Sequence, residues 1–283
     1  MARRLRNLLP GVCVAAAVGL WACGGGSGGS SSSSPTAPSA NPEAQPALPA
    51  CGAIGGFGTA ATTDTYAIVR GTECSTANTP VVLLNLRDRD GQQSGQCSGT
   101  IISRRAVLTA AHCLSGETAS VRVFQGTGDQ VMSASIHGHP TYREDDSQAL
   151  DVGIVVTSQD LDHPVVPLLL SRDARVGEQA VIAGWGKDEL GNGTILRAAA
   201  TLIAAVYSNF LQTDISATGS GVCSGDSGGP ILLSEGGVWS IAGVTSSAST
   251  GGSCAIGSNY FTSVRNASVR SFVLGLVPDV TER

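Results

Sequence analysis

Short apolar runs set between turn residues constrain this chain more than any other feature. Val81–Leu86, Thr100–Leu108, Val121–Phe124, Val152–Val156, Ala180–Ala183, Ile231–Leu233 and Val238–Val244 include many Val and Ile, and Gly, Asp or Ser usually separates them. β-Branched side chains are stiff and pack well on a pleated face, so these runs predict strands. Many short strands with frequent turns predict an all-β barrel or sandwich. The composition agrees: 37 of 283 residues are Gly and only 14% are charged. One helix is expected near the end, where Val269, Phe272, Val273 and Leu276 fall on one face and Asn266 is placed to cap it. No internal repeat is visible.

The N-terminus reads as a targeting segment. Arg3, Arg4 and Arg6 precede an apolar stretch, Leu8 to Ala22, that is too short to span a bilayer comfortably. Leu20-Trp21-Ala22-Cys23 resembles a bacterial lipobox, which would make Cys23 a lipidated mature N-terminus. Gly24 to Pro49 is mostly Gly, Ser, Pro and Ala with Glu43 its only charge, the composition of a flexible tether. An ordinary secretory signal is the alternative, and both place the chain in an oxidising compartment. The expected division is a signal peptide over 1–22, a tether over 23–67 and a folded domain over 68–283. Beyond residue 22, 14 basic against 22 acidic residues leave a net charge of −8, since three of the 17 basic residues lie before it. Such a chain has no electrostatic reason to bind nucleic acid, or a membrane other than through a lipid at Cys23.

Two motifs carry chemistry. Residues 223–230 read Cys-Ser-Gly-Asp-Ser-Gly-Gly-Pro, and residues 108–113 read Leu-Thr-Ala-Ala-His-Cys. A Ser ringed by glycines permits a tight turn and close approach by a substrate. A serine hydroxyl is a weak nucleophile until a base takes its proton, and a His has a suitable pKa for that work. With these motifs in His-then-Ser order, the chain resembles the trypsin/chymotrypsin family of serine proteases. The resemblance covers roughly Ile68 to Leu276. It implies two six-stranded antiparallel barrels with the active site in the cleft between them, joined near Ser171 to Gly177.

By that resemblance Ser227 is the nucleophile and His112 the base. Asp145, Asp146, Asp151, Asp160 and Asp162 are candidates for the carboxylate that orients the His. Asp151 is preferred because it alone directly opens a clean strand, Val152 to Val156. The N–H groups of Gly225 and Ser227 are expected to form the oxyanion hole, where each donor is worth roughly 3–4 kcal/mol. The resemblance puts Gly221 at the base of the specificity pocket, Ser246 and Ala248 on its walls and Asn259 on the far wall. Ser247 stands where the family usually has Trp. No acid occurs between Asp214 and Asp226, so a neutral pocket of modest volume is expected, suited to Ala, Val or Leu rather than Arg. His137, His139 and His163 read as satisfied surface or turn residues.

The resemblance also pairs Cys97 with Cys113 and Cys223 with Cys254; elimination leaves Cys51 with Cys74. A zinc site is disfavoured because the cysteines are scattered singly. Ile68-Val-Arg-Gly-Thr-Glu-Cys74 resembles the family's mature N-terminus with Arg70 in place of Gly. It implies that cleavage of Ala67–Ile68 frees an amine to pair with Asp226; Ile54 is a weaker alternative start. The expectation is a monomeric serine endopeptidase made as a zymogen, acting on protein or peptide substrates without a cofactor or metal. A catalytically dead binding module and an adhesin are the competing readings.

Overall fold

Alternating side chains send one face of each strand inward, and the apolar faces of this chain close two barrels. The computed structural model describes residues 50–55, 68–128, 130–188, 191–249 and 253–283. Cys23, the tether around it and Ala67 lie outside the described residues.

A two-residue strand β1 (Thr72–Glu73) precedes the first barrel. That barrel is built from β2 (Val81–Arg87), β3 (Gln93–Ser103), β4 (Ala106–Thr109), β5 (Ser120–Phe124), β6 (Val131–Gly138) and β7 (Gly153–Thr157). It closes antiparallel in the order β2-β3-β4-β7-β6-β5. The second barrel contains β8 (Gln179–Gly184), β9 (Arg197–Val206), β10 (Phe210–Asp214), β11 (Pro230–Glu235), β12 (Val238–Ser249) and β13 (Ser258–Ser263). Its order is β8-β9-β10-β13-β12-β11, closed by the β11–β8 pairing, with β1 laid on β9. Between the barrels runs a connection from residue 158 to 178, which contains the expected junction. Strand pairs in β5 illustrate the cause: Val121 and Val123 are buried while Arg122 between them is exposed.

The expected run Thr100–Leu108 is two strands, not one. Arg104 and Arg105 break it, because neither guanidinium can be buried along a barrel wall. Arg104 instead meets Asp160 at 2.6 Å, and Arg105 donates to the Thr157 carbonyl at 2.8 Å. Helix α1 (Ile215–Thr218) is a single turn, and 3-10 turns form at Ala50–Ile54 and His112–Leu114. The terminal helix α2 (Ala267–Leu276) begins as expected, with the Asn266 side chain accepting from the Ser268 and Val269 N–H groups. Disulfides join Cys51 to Cys74, Cys97 to Cys113 and Cys223 to Cys254.

His139 lies in a loop with its ring satisfied, as expected, but beneath the surface. It is only 4% exposed and ties the loop after β6 to α2. Its Nδ1 meets the Thr141 hydroxyl at 2.9 Å, its Nε2 meets the Ser268 hydroxyl at 3.1 Å, and its ring packs edgewise on Phe272. Burial lowers its pKa, so the folded state favours the neutral ring. The unfolded chain takes up the proton near pH 6.5. The contribution of His139 is therefore complete above that pH and is lost as pH falls through the depressed native value. Denaturant unfolding of wild type and His139→Gln should show wild type losing more stability than the variant between pH 7 and 5. Parallel pH profiles would remove His139 as the cause.

Candidate active site

His112 lies in the turn that follows β4, and Asp151 lies two residues before β7; the β4–β7 pairing brings these ends together. The Asp151 carboxylate accepts from the His112 backbone N–H at 2.9 Å and meets His112 Nδ1 at 2.7 Å. This contact requires the proton on Nδ1, which leaves Nε2 as the basic nitrogen. Asp151 is 4% exposed, whereas Asp145, Asp146, Asp160 and Asp162 are all exposed. Across the cleft, the Ser246 hydroxyl on β12 donates to Asp151 Oδ2 at 2.8 Å. The sequence reading placed Ser246 on a pocket wall; its bond to the carboxylate has no signal in the sequence.

Ser227 is half-buried in the loop before β11. Three contacts pin this loop against the first barrel and β12. The Ser98 N–H donates to the Ser227 carbonyl at 2.8 Å, the Ser98 hydroxyl donates to the Gly225 carbonyl at 2.8 Å, and the Gly228 N–H donates to the Thr245 carbonyl at 2.8 Å. Gly225 has a φ of 97° and Gly228 a φ of 82°, a region that favours glycine. A Cβ at Gly228 would overlap the Thr109 hydroxyl and the Ser98 carbonyl, and would approach the Ala110 nitrogen to 2.9 Å. That close approach brings the Ser loop against the segment carrying His112. Among the described residues, neither the Gly225 nor the Ser227 N–H has an acceptor.

Asp226 is fully buried beneath this loop. Its carboxylate accepts from the Gly186 N–H at 2.8 Å and the Cys223 N–H at 2.9 Å. Burial pushes its pKa up to about 7, against the pull of those N–H groups and of the Arg197 charge. Nearby, Val69 pairs with Gly221 and donates to its carbonyl at 2.8 Å. Ile68 is fully buried in an apolar cluster with Leu169, Ile182 and Val222. Its φ is 41° and that of Arg70 is 57°. A β-branched residue at positive φ is a steric outlier.

Gly221 meets an obstacle the sequence did not reveal. A Cβ there would lie 2.6 Å from the Ile215 δ-methyl, so the α1 side chain fills the space beside Gly221. Ala248 is exposed and pairs with Asn259 across β12 and β13. Asn259 is fully buried: its Oδ1 accepts from the Val222 N–H at 3.1 Å and its Nδ2 donates to Thr213 at 3.0 Å. Beside exposed Ser247, a cavity of about 360 Å³ is walled partly by Tyr207, Phe210 and Tyr260. His137 meets Ser135, and His163 meets the Thr79 carbonyl; neither touches the Asp151–His112 pair. Cys97, His112 and Cys113 come close enough to suggest a metal site, but both sulfurs are in a disulfide and Nδ1 is held by Asp151.

Paired six-stranded barrels closing around these residues define the chymotrypsin fold. The Trypsin family model matches residues 68–272, and the chain belongs to that family, with a trypsin-like serine protease domain. It is 27% identical over 207 residues to phenoloxidase-activating enzyme 1 of Spodoptera litura, covering 59% of this chain and 55% of that protein. It is 30% identical over 172 residues to a chymotrypsin of Phaedon cochleariae, covering 50% of this chain and 61% of the relative. A rat chymotrypsin-like elastase family member 1 is 30% identical over 185 residues, covering 55% and 69%. The chain thus spans little more than half the length of the first two relatives. The solved structure of HL collagenase superposes with a TM-score of 0.62 at 24% identity, covering 74% of this chain and 98% of that one, a likeness of fold.

Gly228→Ala should destabilise the protein by roughly 3 kcal/mol or more, because it combines a forbidden φ with backbone overlap. Gly275→Ala, in the last turn of α2 with open space around it, should stabilise by roughly half a kcal/mol, because Ala is the better helix former. Denaturant midpoints measure both; equal effects would contradict the packing described.

Proposed function

We propose that the protein is a serine endopeptidase in which Ser227 attacks the substrate carbonyl as His112 takes its proton. Asp151 holds the ring in the Nδ1–H tautomer and stabilises the imidazolium. The open N–H groups of Gly225 and Ser227 receive the oxyanion. His112 then protonates the leaving amine, and water repeats the sequence on the acyl-enzyme. The observation that carries this reading is the 2.7 Å His112–Asp151 contact, braced by Ser246 and set against the pinned Ser227 loop.

The enzyme is made as a zymogen and activated by cutting Ala67–Ile68. The new amine at buried Ile68 supplies a cation for Asp226, and removing the peptide bond before Ile68 also removes the strained φ there. The Cys51–Cys74 bridge keeps the upstream segment attached after the cut, so a lipid at Cys23 anchors the active enzyme to the bacterial envelope. With the secretory signal alone, the enzyme is released. Ile215 against Gly221 makes the specificity pocket shallow and neutral, which suits small residues and admits Ala67, so the protein activates itself.

Peptide hydrolysis should vanish in Ser227→Ala and fall by roughly 10⁴ in turnover in Asp151→Asn. Active enzyme should begin at Ile68 by N-terminal sequencing, while Ser227→Ala expressed alone stays uncut. Correct processing of that variant would assign activation to another protease, and full activity without a cut would end the zymogen reading.

Ile215→Ala should deepen the pocket and move preference from Ala towards Leu or Phe by about 10-fold, the worth of one or two buried methylenes. A peptide-panel kcat/KM ratio unchanged by this substitution would remove Ile215 from the pocket.

A further inference from the structure

Arg197 is a full charge placed where no charge is ordinarily tolerated. It opens β9 at 1% exposure. Its Nη2 meets Glu73 Oε1 at 2.9 Å, while its Nε and Nη1 are buried and have no hydrogen-bond partner among the described residues. An unpaired buried guanidinium N–H is expensive, and Glu73 meets only one of the three nitrogens, so a second negative charge within reach of the field would offset the cost. Strand register identifies that charge. Arg197 pairs directly with Glu73 on β1 and with Gly184 on β8, so the three positions share one face across neighbouring strands. A Cβ at Gly184 would overlap Asp226 Oδ1. The row therefore runs Glu73, Arg197, Gly184, with the Asp226 carboxylate standing over its end. The Ala50–Ile54 turn, held by the Cys51–Cys74 bridge, packs against β1, β8 and β9, the strands that make up this row.

We propose that Arg197 is a positioning residue that holds Asp226, and through it the 223–228 loop, seated before Ala67–Ile68 is cut. This rests on the zymogen reading above and adds to it the means by which an uncut chain retains enough activity to process itself. Asp226 accepts two backbone N–H bonds, from Gly186 and Cys223, and those bonds anchor the Ser227 loop more strongly when the carboxylate is charged. Until the Ile68 amine exists, Arg197 supplies the positive field that favours the charged form. After the cut the amine takes over, and Arg197 becomes dispensable for turnover.

The test compares peptide hydrolysis by full-length chain carrying Ala67→Pro, which blocks the cut, with that of normally processed enzyme. In the uncut background Arg197→Met should lower kcat/KM by about 10-fold, because losing the positive field leaves less of Asp226 charged. Arg197→Lys, which restores the charge, should recover most of the loss. In processed enzyme Arg197→Met should stay within about 3-fold of the parent. Glu73→Gln in the uncut background leaves the Arg197 charge whole, so hydrolysis should hold or rise; this arm also serves if Arg197→Met fails to fold.

Equal uncut activity with and without Arg197, no recovery with Lys, or a loss of the same size in processed enzyme would overturn the proposal. So would a drop in Glu73→Gln. Failure of the underlying reading looks different: uncut Ala67→Pro protein as active as processed enzyme, or no hydrolysis by either form of the parent, would overturn both.

Discussion

The Asp151 carboxylate is the point at which the two barrels meet chemically. It takes a backbone N–H and a ring N–H from His112 on one side of the cleft and a hydroxyl from Ser246 on the other. A buried carboxylate is tolerated only when its lone pairs are occupied, so these three donors both stabilise the charge and fix its direction. That direction sets the tautomer of His112. The first barrel carries His112, the second carries the Ser227 loop, and Ser98 ties the loop back by backbone and side chain together.

A second buried carboxylate, Asp226, is less settled. Two backbone donors and the distant Arg197 charge oppose the penalty of complete burial without overcoming it, and its pKa stays near 7. The segment around Ile68 shows complementary strain: an apolar side chain is buried at a positive φ while Val69 is already paired with Gly221. An amine freed at Ile68 would answer both the unmet charge and the strained backbone. The Cys51–Cys74 bridge ties the segment before residue 56 to the end of the strand that follows Ile68.

Much of this was legible in the sequence because it was written in local chemistry. Apolar strands such as the Val-rich β7 and the Ile-Leu-Leu run of β11 were visible, and Asn266 announced the start of α2. The motifs around His112 and Ser227 pointed to the family, which the match over residues 68–272 shows. Strands β6 and β9 were not legible. Val131–Gly138 interleaves Ser with apolar residues on a largely exposed wall, and β9 is rich in Ala, a weak strand former. Contacts between distant segments were also hidden: Ile215 against Gly221, Ser246 on Asp151, and His139 beneath α2. Arg197 carries no local signal of burial, since an Arg is ordinarily a surface residue, and only cross-strand register reveals it.

The central claim is that Asp151 and His112 make Ser227, alone among the serines, a nucleophile. Its most direct test is the intact mass of processed protein after reaction with a fluorophosphonate, followed by peptide mapping. One adduct located on Ser227, absent from Ser227→Ala and formed far more slowly in Asp151→Asn, is the result this account predicts. An adduct on another serine, or labelling that does not depend on Asp151, would contradict it.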